Sequence, residues 1–173
     1  MLVGKVLTEA VGVCERKHVV QSNAYGGQVR GGSSRSDVLI SPADEEIDFP
    51  EVMNADILLA MTQEAADEYC KIVKPDGLVL LDTTYVKQTP KMTGKIIEFP
   101  FTLRTKERLG SELPTNMVVL AVIAKVGELV KKESLVEAIR KVFPKGKEEI
   151  NLKALNLGYE LVESGTLKEK GSL

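Results

Sequence analysis

Apolar positions along this chain follow two alternating rhythms. Leu2, Val3, Val6, Leu7, Ala10 and Val11 recur at three- and four-residue spacing, the signature of one helical face over the first fourteen residues. Gly4 and Gly12 would let that helix approach a neighbour closely. A strand is expected at about 18–22, then a glycine-rich hairpin region, then a second strand at 37–41 where Val38 and Ile40 alternate with other residues. After an acidic loop over 42–56, the unbroken apolar run 57–61 has strand length and suits burial on both faces. Thr62 is placed to cap a following helix, with Glu64 near its positive end. Pro75-Asp76-Gly77 signals a turn, residues 77–84 a second buried strand, and 95–101 a further one.

The last third reads as helical. Residues 116–126 are apolar all round, as in an internal helix. Ser134 to Glu137 has capping-box spacing ahead of a Leu135, Ile139, Val142, Phe143 stripe that Pro144 and Gly146 stop. A final helix is expected over 148–164, with Gly158 at a close helix–sheet contact, and a frayed polar tail follows. Strands alternating with helices predict an α/β fold with a mostly parallel sheet and one antiparallel hairpin near residues 18–41. No repeat or linker divides the chain, so residues 1–165 form one expected domain and 166–173 a tail.

Composition narrows the function. A formal net charge of −2 argues against a broad grip on nucleic acid, and no apolar run reaches membrane-spanning length, so a cytoplasmic protein is expected. Cys14, Cys70 and His18 are the only cysteine and histidine ligands, too few for an iron–sulfur cluster or a structural zinc site, each of which takes about four. His18 at a strand start, and the carboxylates Asp44, Glu45, Glu46, Asp48 and Glu51, read as structural and solvated groups. Asp82 and Thr83 close a strand at its carboxyl end, where open α/β sheets place ligands.

The densest chemistry lies between Ser22 and Ser34. Gly26, Gly27, Gly31 and Gly32 surround Arg30, with Ser33 and Ser34 after them. Glycines let backbone approach a partner, and arginine presents a planar fork of donors that fits a carboxylate or phosphate. Two readings stay open on composition: an anion-binding or partner-binding loop, and a hairpin whose arginine faces water. A single Arg-Gly-Gly between two strands in an acidic protein does not make an RNA-binding segment, which works as a repeat.

Tyr25-Gly26, Arg30-Gly31-Gly32-Ser33 and Asp37-Val38-Leu39-Ile40-Ser41 resemble the central motif of the γ subunits and γ-type domains of 2-oxoacid:ferredoxin oxidoreductases, including the pyruvate and ketoisovalerate types. The match continues in order through Ile47, Pro50, the runs 56–60 and 77–82, Asn116-Met117-Val118-Val119-Leu120, and then Asn151, Ala154 and Gly158. Arg30-Gly31-Gly32 followed by a small polar residue resembles the 2-oxoglutarate type. The pyruvate type usually has methionine between arginine and glycine.

The resemblance implies a three-layer Rossmann-like sandwich and a place in a complex. Thiamine diphosphate with Mg, 4Fe–4S clusters and coenzyme A would belong to the complex, with none bound by this chain alone. The implied partners are α and β subunits, with a ferredoxin-like δ subunit in some complexes, and ferredoxin through the complex; a homodimer stays open for the isolated chain. Tyr25, Gly26, Arg30, Gly31, Gly32, Ser33 and Asn116 become candidates for contact with an anionic coenzyme A group or a neighbouring subunit, and no catalytic residue is expected here.

Family members open with a strand and a Gly-x-Gly-Gly-Gln-Gly loop, whereas Leu2-Val3-Gly4-Lys5 here resembles the helix after that loop. A longer native chain with Met1 internal is therefore expected. The rival readings are a free-standing nucleotide-binding or regulatory module, disfavoured by the lack of a complete Gly-x-Gly-x-x-Gly with its acidic residue, and a homodimeric structural protein.

Overall fold

The computed structural model describes residues 1–25, 34–41, 47 and 49–170. Helix α1 (Leu2–Thr8) passes without a break into a π-helical turn, Glu9–Cys14, so the expected single helix changes its winding halfway. Both parts keep one face buried, through Val6 and Leu7 and then Ala10 and Val11. Arg16, at φ 56°, reverses the chain into β1 (His18–Tyr25).

Strand β1 pairs antiparallel with β2 (Ser34–Ser41) from His18↔Ser41 to Tyr25↔Ser34, which makes the expected hairpin a two-stranded sheet of its own, with both strands longer than the sequence suggests. The glycines predicted for close packing are used in that way. A Cβ on Gly4 would lie 2.7 Å from Gln21 Nε2, and one on Gly12 2.8 Å from Val19 Cγ1. Two strands alone are marginal in water, so this sheet depends on the elements it lies against.

The second sheet has the order β3 (Ala55–Ala60), β4 (Val73–Asp82), β5 (Lys95–Phe99), β6 (Glu169–Lys170), the first three parallel and the last antiparallel. The turn expected at Pro75-Asp76-Gly77 is absorbed into β4 as a bulge, because Ala55 pairs with Val73 while Ile57 already pairs with Leu78. Gly77 is required there, since its Cβ would stand 3.0 Å from both the Ala55 and Lys74 carbonyl oxygens. The tail is not simply frayed: Glu169 and Lys170 pair with Ile97 and Ile96, and Lys170 Nζ reaches Glu98 at 2.5 Å.

Helices cover both faces of this sheet. Alternation along the strands sends Val79, Leu81 and Ile96 to one side. There they pack with Ala66 of α2 (Gln63–Tyr69), Cys70 in the following 3₁₀ turn and Val86. Leu78, Leu80 and Ile97 go to the other side, into a larger core with α1 and α4 (Thr115–Val126). Leu135 and Ile139 of α5 (Lys132–Val142) and Leu155 of α6 (Glu148–Glu163) join that core. Edge strand β3 contributes Ile57 and Leu59 to the larger core and Leu58 to the smaller, matching the both-face burial read from its sequence.

Three local expectations are corrected. Residues after Phe99 turn at Pro100 into a helix, α3 (Phe101–Leu109), where the strand was extended to residue 101. Helix α5 begins at Lys132, so Ser134 is not its cap. Glu15 caps it from the π-helical turn's end, accepting from Lys131 N at 2.7 Å and Ser134 Oγ at 3.1 Å. Gly158 makes a helix–helix contact instead of a helix–sheet one: its Cβ would be 2.6 Å from Ala121 Cβ and closer still to the Val118 carbonyl oxygen of α4.

Candidate functional site

Side chains alternate across the hairpin. One face carries Val19, Gln21 and Asn23 opposite Ile40, Val38 and Ser36. It lies on α1, with Val19, Val38 and Ile40 in the larger core and Gln21 Nε2 donating to Ser36 Oγ at 3.0 Å and Asn23 Oδ1 at 3.2 Å. The opposite face carries Val20, Ser22 and Ala24 across from Leu39, Asp37 and Arg35.

Arg35 and Asp37, two apart on one strand, therefore share that second face. Arg35 Nε donates to Asp37 Oδ1 at 2.6 Å and its Nη2 to Oδ2 at 2.5 Å, a two-point fork. The same Nη2 donates to the Val52 carbonyl at 2.8 Å, and Val52 N returns a bond to Asp37 Oδ2 at 2.9 Å. The guanidinium also stacks 5.2 Å above the Tyr69 ring at the end of α2. Asp37 is 8% exposed. One ion pair thus ties β2 to the chain entering β3 and to α2.

This anchor stands beside the stem of the glycine–arginine segment. Tyr25 is the last residue of β1 and pairs with Ser34, one position before Arg35. Gly26, Arg30, Gly31, Gly32 and Ser33, and with them the anion-binding reading of the segment, lie outside the described residues, as do Asp44, Glu45, Glu46 and Asp48 of the acidic loop. Asn116, the other candidate, is half-buried in the first turn of α4. No hydrogen bond among the described residues joins it to the hairpin.

Asp82 proves to be a structural clamp. It is fully buried at the end of β4, with Oδ1 accepting from Thr84 N at 3.0 Å and Oδ2 from Thr102 N at 3.1 Å and Thr102 Oγ1 at 2.5 Å. Thr84 Oγ1 accepts from Leu103 N, so Asp82 and Thr84 together cap α3. Lys87 Nζ donates to the Thr83 and Thr84 carbonyls, and Gln63 pins the same loop by accepting from Lys87 N and Gln88 N. Thr62 Oγ1 caps α2 as the sequence suggests. At the end of β4 the carboxyl edge of the sheet, an ordinary ligand position in open α/β folds, is occupied by these bonds of Asp82 and Thr84.

Other groups are engaged in structure as well. A groove of about 340 Å³ is lined by Gly12, Lys17, His18, Val19, Val20 and Ile47, but Lys17 Nζ is held by Glu15 at 2.8 Å. Burial pushes Glu15 up, yet the Lys17 ammonium, the Lys131 amide and the Ser134 hydroxyl outweigh it and hold the carboxyl below its ordinary value. Both cysteines are free; burial, and then nearby Asp67, raise the Cys70 thiol to about 11, which keeps it protonated and unreactive. Among the described residues no group of three or more His, Cys, Asp or Glu is placed to hold a metal, and no helix is long and apolar enough to cross a membrane.

A small α/β chain with a braced hairpin and a β4 end engaged by the start of α3 is the class that these features define. A family model described as pyruvate ferredoxin/flavodoxin oxidoreductase matches residues 1–161, and the chain belongs to that family, as a gamma-subunit-type member. The 2-oxoglutarate synthase subunit KorC of Methanocaldococcus jannaschii is 38% identical over 165 residues, covering 94% of this chain and 87% of that protein. The KorC subunit of Methanothermobacter thermautotrophicus is 34% identical over 172 residues, covering 96% and 90%. Among solved structures, the keto/oxoacid ferredoxin oxidoreductase gamma subunit of Geobacter sulfurreducens superposes with a TM-score of 0.81 at 31% identity, covering 94% of this chain and 90% of that one. The cluster chemistry of such enzymes does not fit this chain's own residues: two cysteines, one on the π-helical turn and one beneath α2, cannot replace about four thiolates.

Proposed function

We propose that this chain serves a 2-oxoglutarate:ferredoxin oxidoreductase, in which 2-oxoglutarate is oxidatively decarboxylated to its coenzyme A thioester while ferredoxin takes the electrons. The carrying observation is the near-full-length identity to two proteins named as 2-oxoglutarate synthase subunits, together with the Arg30-Gly31-Gly32-Ser33 signature. Thiamine diphosphate with Mg and the 4Fe–4S clusters reside on α, β and ferredoxin-like δ partners in the cytoplasm. The fold is read as a three-layer Rossmann-like sandwich.

The segment from Tyr25 to Ser33 meets an anionic group of coenzyme A, or the subunit surface beside it, with Arg30 as the cation and Gly26, Gly31 and Gly32 allowing close approach. Asn116 belongs to the same subunit-facing surface. A hairpin braced on both faces supports this reading, because a recognition loop acts best from a rigid stem. In the reconstituted complex, Arg30→Ala is expected to raise KM for coenzyme A severalfold with kcat nearly unchanged. An unchanged KM together with unchanged assembly would overturn the role given to Arg30. Specificity is tested by comparing kcat/KM for 2-oxoglutarate, pyruvate and 2-oxoisovalerate; a preference for either of the latter would overturn the substrate assignment.

A further inference from the structure

We infer that residues 168–170 form a detachable ionic strap, which guards the edge of β5 against pairing with a second copy of this chain. Past the end of α6 the backbone turns at Gly165, whose φ is 67°, and Leu167 packs against the larger core. Beyond that anchor only Glu169 and Lys170 join the sheet, antiparallel to Ile97 and Ile96. Strand β5 therefore has β4 along one side and two residues along the other. The strap buries no side chain of its own, since Lys168, Glu169 and Lys170 are all exposed.

Charge is what fastens it. Lys170 Nζ reaches Glu98 at 2.5 Å on one face of the ladder, and Lys95 Nζ lies 3.4 Å from Glu169 on the other. Three of these four side chains face water, at 66% for Lys170, 61% for Lys95 and 44% for Glu169. Pairs so exposed contribute little stability and weaken further in salt. The strand beneath is held quite differently. Ile96 and Ile97 are sunk into two separate cores at 8% and 2% exposure, so β5 keeps its shape when the strap lifts. A bare β5 would then offer a row of unpaired amides and carbonyls, a ready template for another strand. It pairs with β4 without a bulge and contains no proline to spoil such pairing. In a two-fold antiparallel pair centred on Ile97, Ile96 would stand against Glu98 and Lys95 against Phe99. No like charges would lie directly opposite one another. The strap is the one element on this side of β5 that stands in the way among the described residues.

The test compares the full chain with Lys170→Glu, with the exchanged pair Glu98→Lys/Lys170→Glu, and with a chain ending at Leu167, which keeps the anchor. Light scattering over a concentration series reads association, and hydrogen exchange read by mass spectrometry follows the tail, β5 and, as an internal reference, α4. At low concentration Lys170→Glu sets like charges against Glu98 and is expected to speed exchange at 95–99 and 168–170 roughly three- to tenfold, with α4 unchanged. At higher concentration both Lys170→Glu and the chain ending at Leu167 are expected to move toward twice the mass of the full chain, while their β5 amides regain protection. The exchanged pair is expected to behave as the full chain does. Equal masses for the full chain and the one ending at Leu167 at every concentration would overturn the guard. Association that leaves the β5 amides unprotected would place the contact elsewhere and overturn it too. Should the shortened chain fail to fold, the point variants decide: unchanged exchange in Lys170→Glu, acceleration that extends to α4, or no recovery in the exchanged pair each counts against the strap.

Discussion

Replacing Asp82 by asparagine separates a ligand-facing carboxylate from a structural one. The native side chain is fully buried, without a cation beside it among the described residues, and accepts three bonds, one from Thr84 N on Oδ1 and two from Thr102 on Oδ2. Asparagine has nearly the same volume but only one acceptor atom. If its oxygen faces Thr102, its amide group opposes the Thr84 N–H, donor against donor; turned over, it opposes both Thr102 donors. The better orientation still loses one charge-assisted bond and leaves two buried donors facing each other. Hydrogen bonds to a charged group contribute about 1.5–3 kcal/mol, and an unsatisfied buried donor costs about 1–3 kcal/mol. A net loss of roughly 2–4 kcal/mol follows, a large part of the stability of a domain this size. Urea unfolding followed by far-ultraviolet circular dichroism measures it through the midpoint, with an unchanged slope expected. A loss below about 0.5 kcal/mol, combined with a large rise in a substrate or coenzyme KM, would refute the clamp and return Asp82 to the ligand-binding edge.

Gly158→Ala opposes two effects of different sign. Helix propensity alone would stabilise α6 by about 1 kcal/mol, but the new methyl would overlap the Val118 carbonyl and Ala121 of α4, and overpacking costs about 1–3 kcal/mol. Net destabilisation in thermal unfolding is expected, and stabilisation would show that the two helices separate freely. Glu15 provides a pH test. Its folded pKa is lowered, so its contribution is present above the ordinary glutamate value and lost as pH falls through the lowered one. Glu15→Ala should therefore cost about 1–2 kcal/mol near pH 7 and much less at about pH 3; equal losses at both pH values in urea unfolding would count against Glu15 as the cap of α5.

Features that depend on neighbours in sequence were legible. The Ile57 to Ala60 run, the Thr62 cap and the all-apolar α4 each follow from residues within a few positions, and the glycines at 4 and 12 mark close approaches that the structure contains. Features supplied from a distance were not. Ser134 and Glu137 have the spacing of a capping box, yet the acceptor at the start of α5 is Glu15, from more than a hundred residues earlier. Helix α3 was hidden because Phe101 continues the apolar alternation of β5, and the polar residues 102, 104 and 106–108 leave only a thin stripe. Asp82 was correctly placed at a strand's carboxyl end, but its engagement by Thr102 depends on that unseen helix. The Arg35–Asp37 pair left one readable signal, opposite charges two apart on a strand, which puts them on one face without revealing Val52 or Tyr69 as partners.

These observations bear on how a subunit lacking a cluster's ligand set contributes to a redox enzyme. Polar groups in the body of this chain are matched to one another: Asp82 to Thr84 and Thr102, Glu15 to Lys131 and Ser134, Gln63 to the loop at 87–88. Groups already paired in this way are poorly placed to change partners during a reaction, because each exchange would expose an unsatisfied buried donor or acceptor. The hairpin's polar groups are matched too, Gln21 to Ser36 and Arg35 to Asp37. The hairpin is a separate sheet, packed through one face onto α1 and fastened on the other by a single charged fork. Its Val19, Val38 and Ile40 pack into the larger core, whereas β4 contributes to both cores. A stem braced on both faces thus carries the glycine–arginine segment. Under the role proposed for the segment, substitutions in the hairpin should act on coenzyme affinity and subunit fit, and substitutions in the body on stability.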